Sequence, residues 1–549
     1  MLKKIFLFMA LSYTVIAQVV YEPLYSDIYA FLSILSQKSI IELNDQVRPL
    51  SRKYIAEKLI EASKKSDQLT SLEKEELSFY SKDFSREFDF INKVKLDSSC
   101  VTLVGYDAGD RLRLFGFTSD FFTLNIDPIL GAQYGTRDNA KLTHIWNGLS
   151  TYGYIDDFIG FSFDFRDNLE KGSTIDKTKD FTPITGVDAR TSENIVDYPI
   201  NKMEYSEAKA VISLDWNWGS LAAGKDFFEW GYGESGLLVL STKPPSYGFI
   251  RLDIHPVKWL RFNYIHGWLS STIPDSNSFF YNQEGTISFS YVNKYIAHHS
   301  LTITPTAGLD LAIGESIIYD EKLEFLYLIP IMFFRLADHY LSNQVNAAGG
   351  NAQFFLSASS RGQIKNTHLY GTLFIDEITL NGLFDPAKQR NQFGFTLGGA
   401  ITDLPVDNLT LKLEYTKIYP FVYQHYIQTE DYYSSGYTLG HWMMQNADLV
   451  YASVNYRFIR GLQATIWGQY LRKGQDGTVE QQYTQPQPPF LFGLRQYYTY
   501  YGAEVKYELI NNFYARLQYQ NRLLSDEQSP DVYVESNLPQ FYFSIYYGL

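Results

Sequence analysis

Three short segments near the carboxyl terminus restrict the fold more than any other feature of this chain. Apolar or aromatic residues occupy every second position from 501 to 509, from 513 to 519 and from 541 to 549. Side chains alternate between two faces with this period in β-strands, so the segments predict three strands. The intervening positions are polar, and several of them are charged. Each predicted strand therefore has one apolar face and one polar face.

Two environments suit such strands. In a soluble sandwich the apolar face forms the core, whereas in an outer-membrane barrel it contacts lipid and the polar face lines the interior. The chain contains 44 Tyr and 39 Phe, and aromatic residues form girdles at both membrane interfaces of such barrels. The aromatic content, the charged strand faces and the apolar strand at the carboxyl terminus favour the barrel.

Length and hydropathy narrow the alternatives further. A chain of 549 residues is too long for one ordinary soluble domain, yet it lacks the linkers that separate several domains. Its mean hydropathy is −0.20, and beyond the first twenty residues it has no run of eighteen apolar residues, which a transmembrane helix requires. We therefore expect a large barrel with a small appendage.

The amino terminus predicts export to the bacterial outer membrane. Lys3 and Lys4 precede an apolar run from Ile5 to Ile16, which is the pattern of a secretory signal peptide. We expect a signal peptide over residues 1–17, cut after Ala17.

Residues 18–95 follow a helical period instead of a strand period. Ser26 is a candidate N-cap of the first of three short amphipathic helices, and Thr70 with Glu73 has the spacing of a capping box for the third. Three short helices bury little apolar area by themselves. We therefore predict a small helical bundle that docks on a barrel formed by residues 96–549.

From about residue 100 the period is two, and the connections between candidate strands alternate between short and long. The long connections are 168–204, 270–284, 320–351, 419–446, 473–498 and 525–539. Bacterial outer-membrane barrels have short periplasmic turns and long outward loops, whereas a sandwich has no reason to alternate in this way. The prediction is an all-β transmembrane barrel with an even number of antiparallel strands, about eighteen.

Segments along most of the mature chain, in this order and spacing, resemble the Wzi family of outer-membrane capsule assembly proteins. The segments are Ala30 to Leu32, Val47 to Arg52, Gly224 to Asp226, Trp230-Gly231, Leu238 to Ser241, Lys294 to His299, Gly314 to Ser316, Pro330, Phe333 to Arg335, Asp376-Glu377 and Leu439 to His441. The resemblance implies a barrel of about eighteen strands with a periplasmic helical bundle. It also implies a surface lectin that retains capsular polysaccharide, with polysaccharide export machinery as a possible partner. The departures lie in the loops, where glycan specificity would reside.

Carbohydrate recognition without catalysis needs flat aromatic faces for sugar rings and planar polar side chains for hydroxyls. Residues of this kind cluster in two predicted outward loops and at one strand end, and they are the candidate glycan-binding residues: Trp268, Tyr432, Tyr433, Tyr437, His441, Trp442, Tyr483 and Arg495. The alternative interpretation is that they are girdle aromatics and ordinary loop packing.

Charged residues on the predicted polar strand faces form a second group, the predicted lumen residues: Lys412, Glu414, Arg457, Arg472, Glu504, Lys506, Arg516 and Arg522. They line a path for polysaccharide or ions in one interpretation, and they are paired across neighbouring strands of a closed interior in the other. Their mixed signs favour pairing. An open path corresponds to the alternative function, a diffusion channel or transport barrel.

Two further segments have two interpretations each. Trp230 lies on a predicted turn with Gly231 and Gly233, where it is either structural or a platform for a sugar ring. The long connection 320–351 contains an apolar run from 326 to 334. It either folds inward as a constriction or packs as a short outer element.

Several function classes are unfavourable for this chain. A net charge of −14 argues against nucleic acid as a partner, because phosphate binding needs a basic surface. Asp376 and Glu377 are adjacent, but neighbours on a strand point to opposite faces and do not form an acid/base pair. No metal-ligand spacing is evident, and the lone Cys100 cannot form an internal disulfide. We expect no enzyme activity and no cofactor, with outer-membrane lipid and surface polysaccharide as partners.

Overall fold

The computed structural model describes residues 19–107, 109–156, 158–187, 201–344, 349–377 and 391–548. The predicted signal peptide and its cleavage after Ala17 lie outside these ranges, as does Leu549, the last residue of the last predicted strand.

The described residues form a closed antiparallel barrel of eighteen strands, which confirms the predicted fold class. We number them β1 (Phe122–Arg137), β2 (Ala140–Ile155), β3 (Ile159–Lys171), β4 (Lys202–Trp216), β5 (Gly219–Asp226), β6 (Tyr247–Val257), β7 (Leu260–Pro274), β8 (Tyr291–Thr306), β9 (Leu309–Asp320), β10 (Asn351–Arg361), β11 (Thr367–Glu377), β12 (Gln392–Thr402), β13 (Leu409–Ile418), β14 (Ala447–Ile459), β15 (Leu462–Lys473), β16 (Gln496–Ile510), β17 (Phe513–Ser529) and β18 (Val532–Tyr547). Consecutive strands pair, and β18 closes the barrel on β1 with Tyr547 opposite Leu130.

The connections distinguish the two ends of the barrel. At the turn end the connections contain two to six residues. At the loop end, seven of the nine connections within 122–547 are long: 172–201, 227–246, 275–290, 321–350, 378–391, 419–446 and 474–495. The predicted long connection 525–539 is wrong, because β17 and β18 continue as a hairpin with a two-residue turn at Pro530 and Asp531.

Helices α1 (Ile28–Gln37), α2 (Arg52–Ser63), α3 (Ser71–Asp83) and α4 (Ser85–Ile91) form a bundle at the turn end. The capping box of Thr70 and Glu73 is present at the start of α3. Asp27 and not Ser26 occupies the N-cap position of α1, and the third predicted helix divides into α3 and α4 at Phe84. None of the helices within the described ranges is long and apolar enough to cross a membrane.

The remaining elements are short. Helices α5 (Phe334–Gln344) and α6 (Val479–Gln482) lie in loop-end connections, and single 3₁₀ turns cover Ser66–Gln68, Phe325–Leu328 and Gln428–Glu430. A hairpin of Cys100–Tyr106 and Leu112–Thr118 extends from the first residues of β1. Three two-residue strand pairs join Val47–Arg48 to Glu229–Trp230, Phe280–Tyr281 to Ile287–Ser288, and Tyr433–Ser434 to Tyr437–Thr438.

Two apolar cores fill the barrel from opposite ends. One lies within the bundle, around Phe31, Leu32 and Ile55. The other joins residues of the connections 227–246 and 419–446 to aromatic side chains on the inner wall, including Phe355 and Phe374. Fully burying one such side chain contributes about 1.5–3 kcal/mol, so both cores stabilise the contents of the barrel.

Candidate functional site: a closed lumen and an aromatic rim

The bundle is held in the turn end of the barrel by ion pairs around the wall. The pairs connect bundle residues to strands or turns far apart on the circumference: Lys53 with Asp215 at 3.1 Å, Asp45 with Arg361 at 2.8 Å, Lys38 with Asp403 at 2.8 Å, Glu76 with Arg457 at 2.6 Å and Asp27 with Lys506 at 2.5 Å. These wall residues lie on β4, β10, β14 and β16 and on the turn between β12 and β13, so the bundle spans the lumen.

A buried ionic cluster centred on Arg52 anchors the same bundle. The Arg52 guanidinium lies 2.7 Å from both Glu22 and Glu87 and 3.2 Å from Asp83. Asp83 also accepts from Arg111 at 2.7 Å. Burial raises the pKa of Asp83, but the Arg111 and Arg52 guanidiniums outweigh burial and hold that pKa well below its ordinary value. Asp83 is therefore charged at neutral pH, whereas burial raises the pKa of Glu22 in the same cluster.

The connection 419–446 crosses the lumen at the loop end and bonds to the connection 227–246. The Tyr423 and Tyr432 hydroxyls donate to the carbonyls of Leu238 and Val239, both at 2.8 Å, and the Trp442 indole donates to the Ser235 carbonyl at 2.6 Å. On one wall, Lys294 of β8 pairs with Asp431 at 2.5 Å. On another, Lys473 of β15 donates to the Met443 and Gln445 carbonyls. We call these two connections the loop-end plug.

The bundle and the loop-end plug meet in the middle of the barrel. Val47 pairs with Trp230 as a short antiparallel ladder, the Gly231 amide donates to the Gln46 carbonyl at 2.9 Å, and Arg48 pairs with Glu229 at 3.0 Å. The Trp230 ring is fully buried and lies 4.1 Å from the His298 ring. The structural interpretation of Trp230 is therefore the one that its surroundings favour.

Four of the candidate glycan-binding residues lie inside the barrel: Tyr432, Tyr437, His441 and Trp442 are buried, and Tyr433 is partly buried beside them. The sequence placed these side chains on an outward loop, and the structure differs because that loop folds inward. Its rings bury apolar area, while their hydroxyl and indole groups find backbone acceptors that outward rings would lack. No ring face of these four residues is presented to solvent in this arrangement.

The other three candidates remain exposed. Tyr483 and Arg495 lie on the connection 474–495, where the Arg495 amide donates to Glu527 at 2.8 Å. Trp268 lies on the outer wall near the loop end. Arg251 faces the lumen and is opposite Ile265, so the alternate positions 264, 266 and 268 of β7 face outward.

Most of the predicted lumen residues face the interior and are paired there. Lys412 pairs with Glu234 at 2.7 Å, Glu414 accepts from the Ser235 amide at 2.9 Å, and Arg516 donates to Glu504 at 2.7 Å. Arg457 and Lys506 hold the bundle, as described above, and Arg522 is opposite Tyr500 on the inner wall.

Arg472 is placed differently from the prediction. It points outward and pairs with Asp448 at 2.6 Å, while its neighbours Leu471 and Lys473 are buried against the loop-end plug. Near the loop end a strand leaves the lipid, and its outward face then meets water. Near the loop end, a charged residue therefore does not indicate that its strand position faces the lumen.

The candidates named from the sequence do not include a strongly exposed aromatic group at the loop end. The connection 275–290 projects as a short hairpin, here the rim hairpin. Its apolar side chains are largely uncovered: Phe279 51%, Phe280 60%, Tyr281 75%, Ile287 56% and Phe289 42% exposed. The Phe279 and Phe289 rings stack at 5.2 Å. The sequence does show that this connection is rich in aromatic residues. Their spacing has neither a strand period nor a helix period, so it predicts no buried face for them.

The connection 321–350 packs on the outside of the barrel. Tyr264 on the outward face of β7 donates to the Tyr327 carbonyl at 2.8 Å, and outward-facing Glu315 of β9 accepts from the Phe334 amide at 2.9 Å at the start of α5. Ile331 and Leu336 remain 83% and 63% exposed. Of the two predicted arrangements, the outer element is the one observed.

The described residues contain no group of three His, Cys, Asp or Glu side chains that could hold a metal ion.

Comparisons with known proteins give a match by structure alone. No family model matches the chain, and no curated protein matches it by sequence. Among solved structures, the chain is similar to Wzi of Escherichia coli, described as an outer-membrane protein involved in group 1 capsule assembly and a carbohydrate-binding β-barrel. The TM-score is 0.54 at 14% identity, over 97% of this chain and 100% of that one.

Two other outer-membrane structures align less closely. Acinetobacter baumannii OccAB2 matches at a TM-score of 0.44 and 12% identity, over 77% of this chain and 98% of that one. Pseudomonas aeruginosa OprD matches at 0.42 and 13% identity, over 77% and 93%. At 14% identity the likeness to Wzi supports the fold, that of an outer-membrane barrel. The two lower scores carry no further argument.

Proposed function

We propose that this protein is an outer-membrane barrel that binds and retains surface or capsular polysaccharide without catalysis. The observation that carries the proposal is the filled lumen. The bundle occupies the turn end, the loop-end plug occupies the loop end, and the two meet at Val47 and Trp230. A barrel closed in this way is a poor diffusion path and serves instead as a rigid support for its loop end.

The exposed chemistry of the loop end fits a glycan. Flat rings of Phe280 and Tyr281 stand uncovered on the rim hairpin, next to the amide side chains of Asn282 and Gln283. Aromatic faces stack on the apolar faces of sugar rings, and amides exchange hydrogen bonds with hydroxyls. Tyr483 and Arg495 offer a second exposed group on the connection 474–495. With the likeness in fold to a carbohydrate-binding barrel, these two groups are the proposed contact surface.

The first experiment separates this proposal from the diffusion-channel alternative. Purified protein is inserted into planar lipid bilayers and single-channel conductance is recorded, with a general porin as the reference. We expect a conductance far below that of the porin. A stable conductance of porin size would overturn the proposed closure and favour the channel.

The second experiment tests retention on the rim hairpin. The double variant Phe280→Ala/Tyr281→Ala is expressed in cells that lack the wild-type chain, and cell-bound and shed polysaccharide are measured. We expect the shed fraction to rise toward that of the deletion strain. Trp259→Ala is the matched control, because Trp259 is 57% exposed in a turn-end connection. Equal retention by the deletion strain and the wild type would refute the role.

A further inference from the structure

A cavity remains beside the bundle and the loop-end plug, against the inner wall of β2 to β5. Its volume is about 410 Å³, within the range of ligand cavities, about 300–1,000 Å³. We call it the side pocket. Its floor is Pro23 to Tyr25 of the amino-terminal segment, and its upper edge includes Ile184, Thr185 and Thr242 from loop-end connections. Ile184 is 57% exposed, so the side pocket is approached from the loop end.

Two cations on the wall of the side pocket have carboxylates nearby but no hydrogen-bonded ion pair. Arg166 of β3 lies 3.6 Å from Glu207, and Lys209 of β4 lies 4.0 Å from Asp164 and 3.9 Å from Asp226. None of these separations is a hydrogen bond. Elsewhere in the lumen, cations such as Lys506 and Arg457 lie 2.5 and 2.6 Å from their carboxylates. Lys179, which also lines the side pocket, has a short pair with Glu170 at 2.8 Å, so Arg166 and Lys209 are the two cations there with longer separations.

The Arg166 guanidinium also has an unused edge. Its Nε is buried and has no acceptor among the described residues. A guanidinium presents its nitrogen atoms as a planar fork that matches a carboxylate with two parallel hydrogen bonds. A buried donor without an acceptor is costly.

The remaining wall of the side pocket suits a sugar ring. Tyr205 and Phe227 contribute aromatic rings, with the Phe227 ring 5.9 Å from the Lys209 ammonium. Glu207 and Asp226 supply carboxylate oxygens that accept hydrogen bonds from hydroxyl groups. Aromatic faces, hydroxyl acceptors and a partly neutralised cation pair therefore surround one enclosed space.

We propose that the side pocket binds a carboxylate-bearing sugar residue of the polysaccharide, with the carboxylate on Arg166 and Lys209. The assignment rests on the proposed function and deepens it, because it names an acidic saccharide as the ligand class. The sugar chain enters from the loop end, and its bound residue stops above Pro23. Glu207 and Asp226 accept from the hydroxyls of the same residue.

The test measures binding by the full-length, detergent-solubilised protein. The probes are trigalacturonate, maltotriose and polysaccharide purified from the producing cells, each titrated calorimetrically. We expect the wild type to bind trigalacturonate at least tenfold more tightly than maltotriose. Arg166→Met should remove this preference, whereas Arg166→Lys, which keeps the charge and loses the fork, should retain part of it. Lys209→Met should weaken trigalacturonate binding alone.

The control is Arg472→Met, which removes an arginine from the outer wall and should leave both affinities unchanged. Folding of every variant is checked by the mobility of unheated barrel on denaturing gels. Equal affinity of the wild type for both trisaccharides, or an unchanged preference in folded Arg166→Met, overturns the side-pocket assignment. If the cellular polysaccharide still binds in that case, the proposed function survives. If that polysaccharide fails to bind while trigalacturonate binding depends on Arg166, the side pocket stands and the proposed function falls.

Discussion

Arg52 links three buried acidic side chains, of which Asp83 is also paired with Arg111 and Glu87 also accepts from the Tyr154 hydroxyl. Its substitution by Met leaves Glu22, Asp83 and Glu87 facing one another in the bundle. Removing one partner of a buried ion pair costs about 3–5 kcal/mol. We therefore expect the amide protection of α2 to α4, measured by hydrogen exchange, to fall at least about 100-fold in Arg52→Met.

Lys64→Met is the control for this variant, because Lys64 lies exposed just after α2. Its protection should equal that of the wild type. Wild-type protection in Arg52→Met would show that the barrel wall alone holds the bundle.

Lys243 holds residues 179–184 of a loop-end connection at the edge of the side pocket. Its ammonium donates to the carbonyls of Lys179 and Ile184. Burial lowers the pKa of Lys243 to about 8, and the nearby Asp180 and Asp176 only partly oppose this. When the connection lifts, the pKa returns to about 10.4. The lifted form then binds more protons, so the closed form becomes more stable as pH rises from about 8 to about 10 and is insensitive to pH below 8.

A nitroxide at position 184, in a Cys100→Ser background, reports this equilibrium. Its mobile fraction should fall with rising pH by at most about tenfold per pH unit across that window. Lys243→Met should abolish the dependence. A mobile fraction that rises with pH in the wild type would contradict the assigned role of Lys243.

Residue roles could be predicted from sequence where the partners are close in the chain. The capping box joins Thr70 to a residue three positions away, so its pattern is visible locally. Tyr432 bonds to Val239, 193 positions away. Its burial depends on what the loop meets across the lumen, and no local period records that encounter.

At the scale of elements, α5 and the residues before it form an outer buttress on β7 to β9. The apolar side chains of Phe325, Ile331 and Leu336 are exposed on it, and it packs against a wall whose outward face meets lipid. A nitroxide at position 336, again with Cys100→Ser, should be accessible to oxygen and shielded from a water-soluble nickel chelate in bilayers.

Position 283 on the rim hairpin is the matched comparison. A nitroxide there should be accessible to the nickel chelate, because Gln283 is exposed at the loop end. Nickel access at position 336 equal to that at 283 would place the buttress above the membrane.

Strands could be predicted wherever their two faces have different surroundings. Between lipid and lumen, apolar and polar residues alternate, and the sequence reveals the strand. Beyond the bilayer both faces meet water and the alternation fades. For this reason the sequence of 525–539 predicts a loop, although these residues form the tip of the β17–β18 hairpin. For the same reason the sequence predicts a lumen position for Arg472.

At the scale of the whole molecule, the bundle and the loop-end plug each fill the lumen, one behind the other along the barrel axis. Either plug alone should then keep conductance low. In planar bilayers with uniform orientation, urea in one compartment should leave conductance near its initial value, and urea in both compartments should raise it reversibly. A large rise with urea on a single side would show that only the plug on that side seals the barrel.

The closed barrel and its strand number could be predicted because alternating short and long connections allow an antiparallel meander and little else. The packing of the bundle and the loop-end plug inside the barrel could not be predicted from the sequence. The ladder between Val47 and Trp230 joins two short segments with no strand period of their own. Only the closed wall brings them together.

The contacts that hold the bundle also restrict the order of assembly. Glu76 and Asp27 bind wall residues that are 381 and 479 positions later in the chain. During synthesis the helices emerge first, yet Lys506 lies in β16, two strands before β18 meets β1. Contacts between such distant residues form late. The bundle can therefore complete these contacts only when the strands that carry Arg457 and Lys506 stand around it, and a helper that shields the unfinished bundle would act on the side from which the wall is still missing.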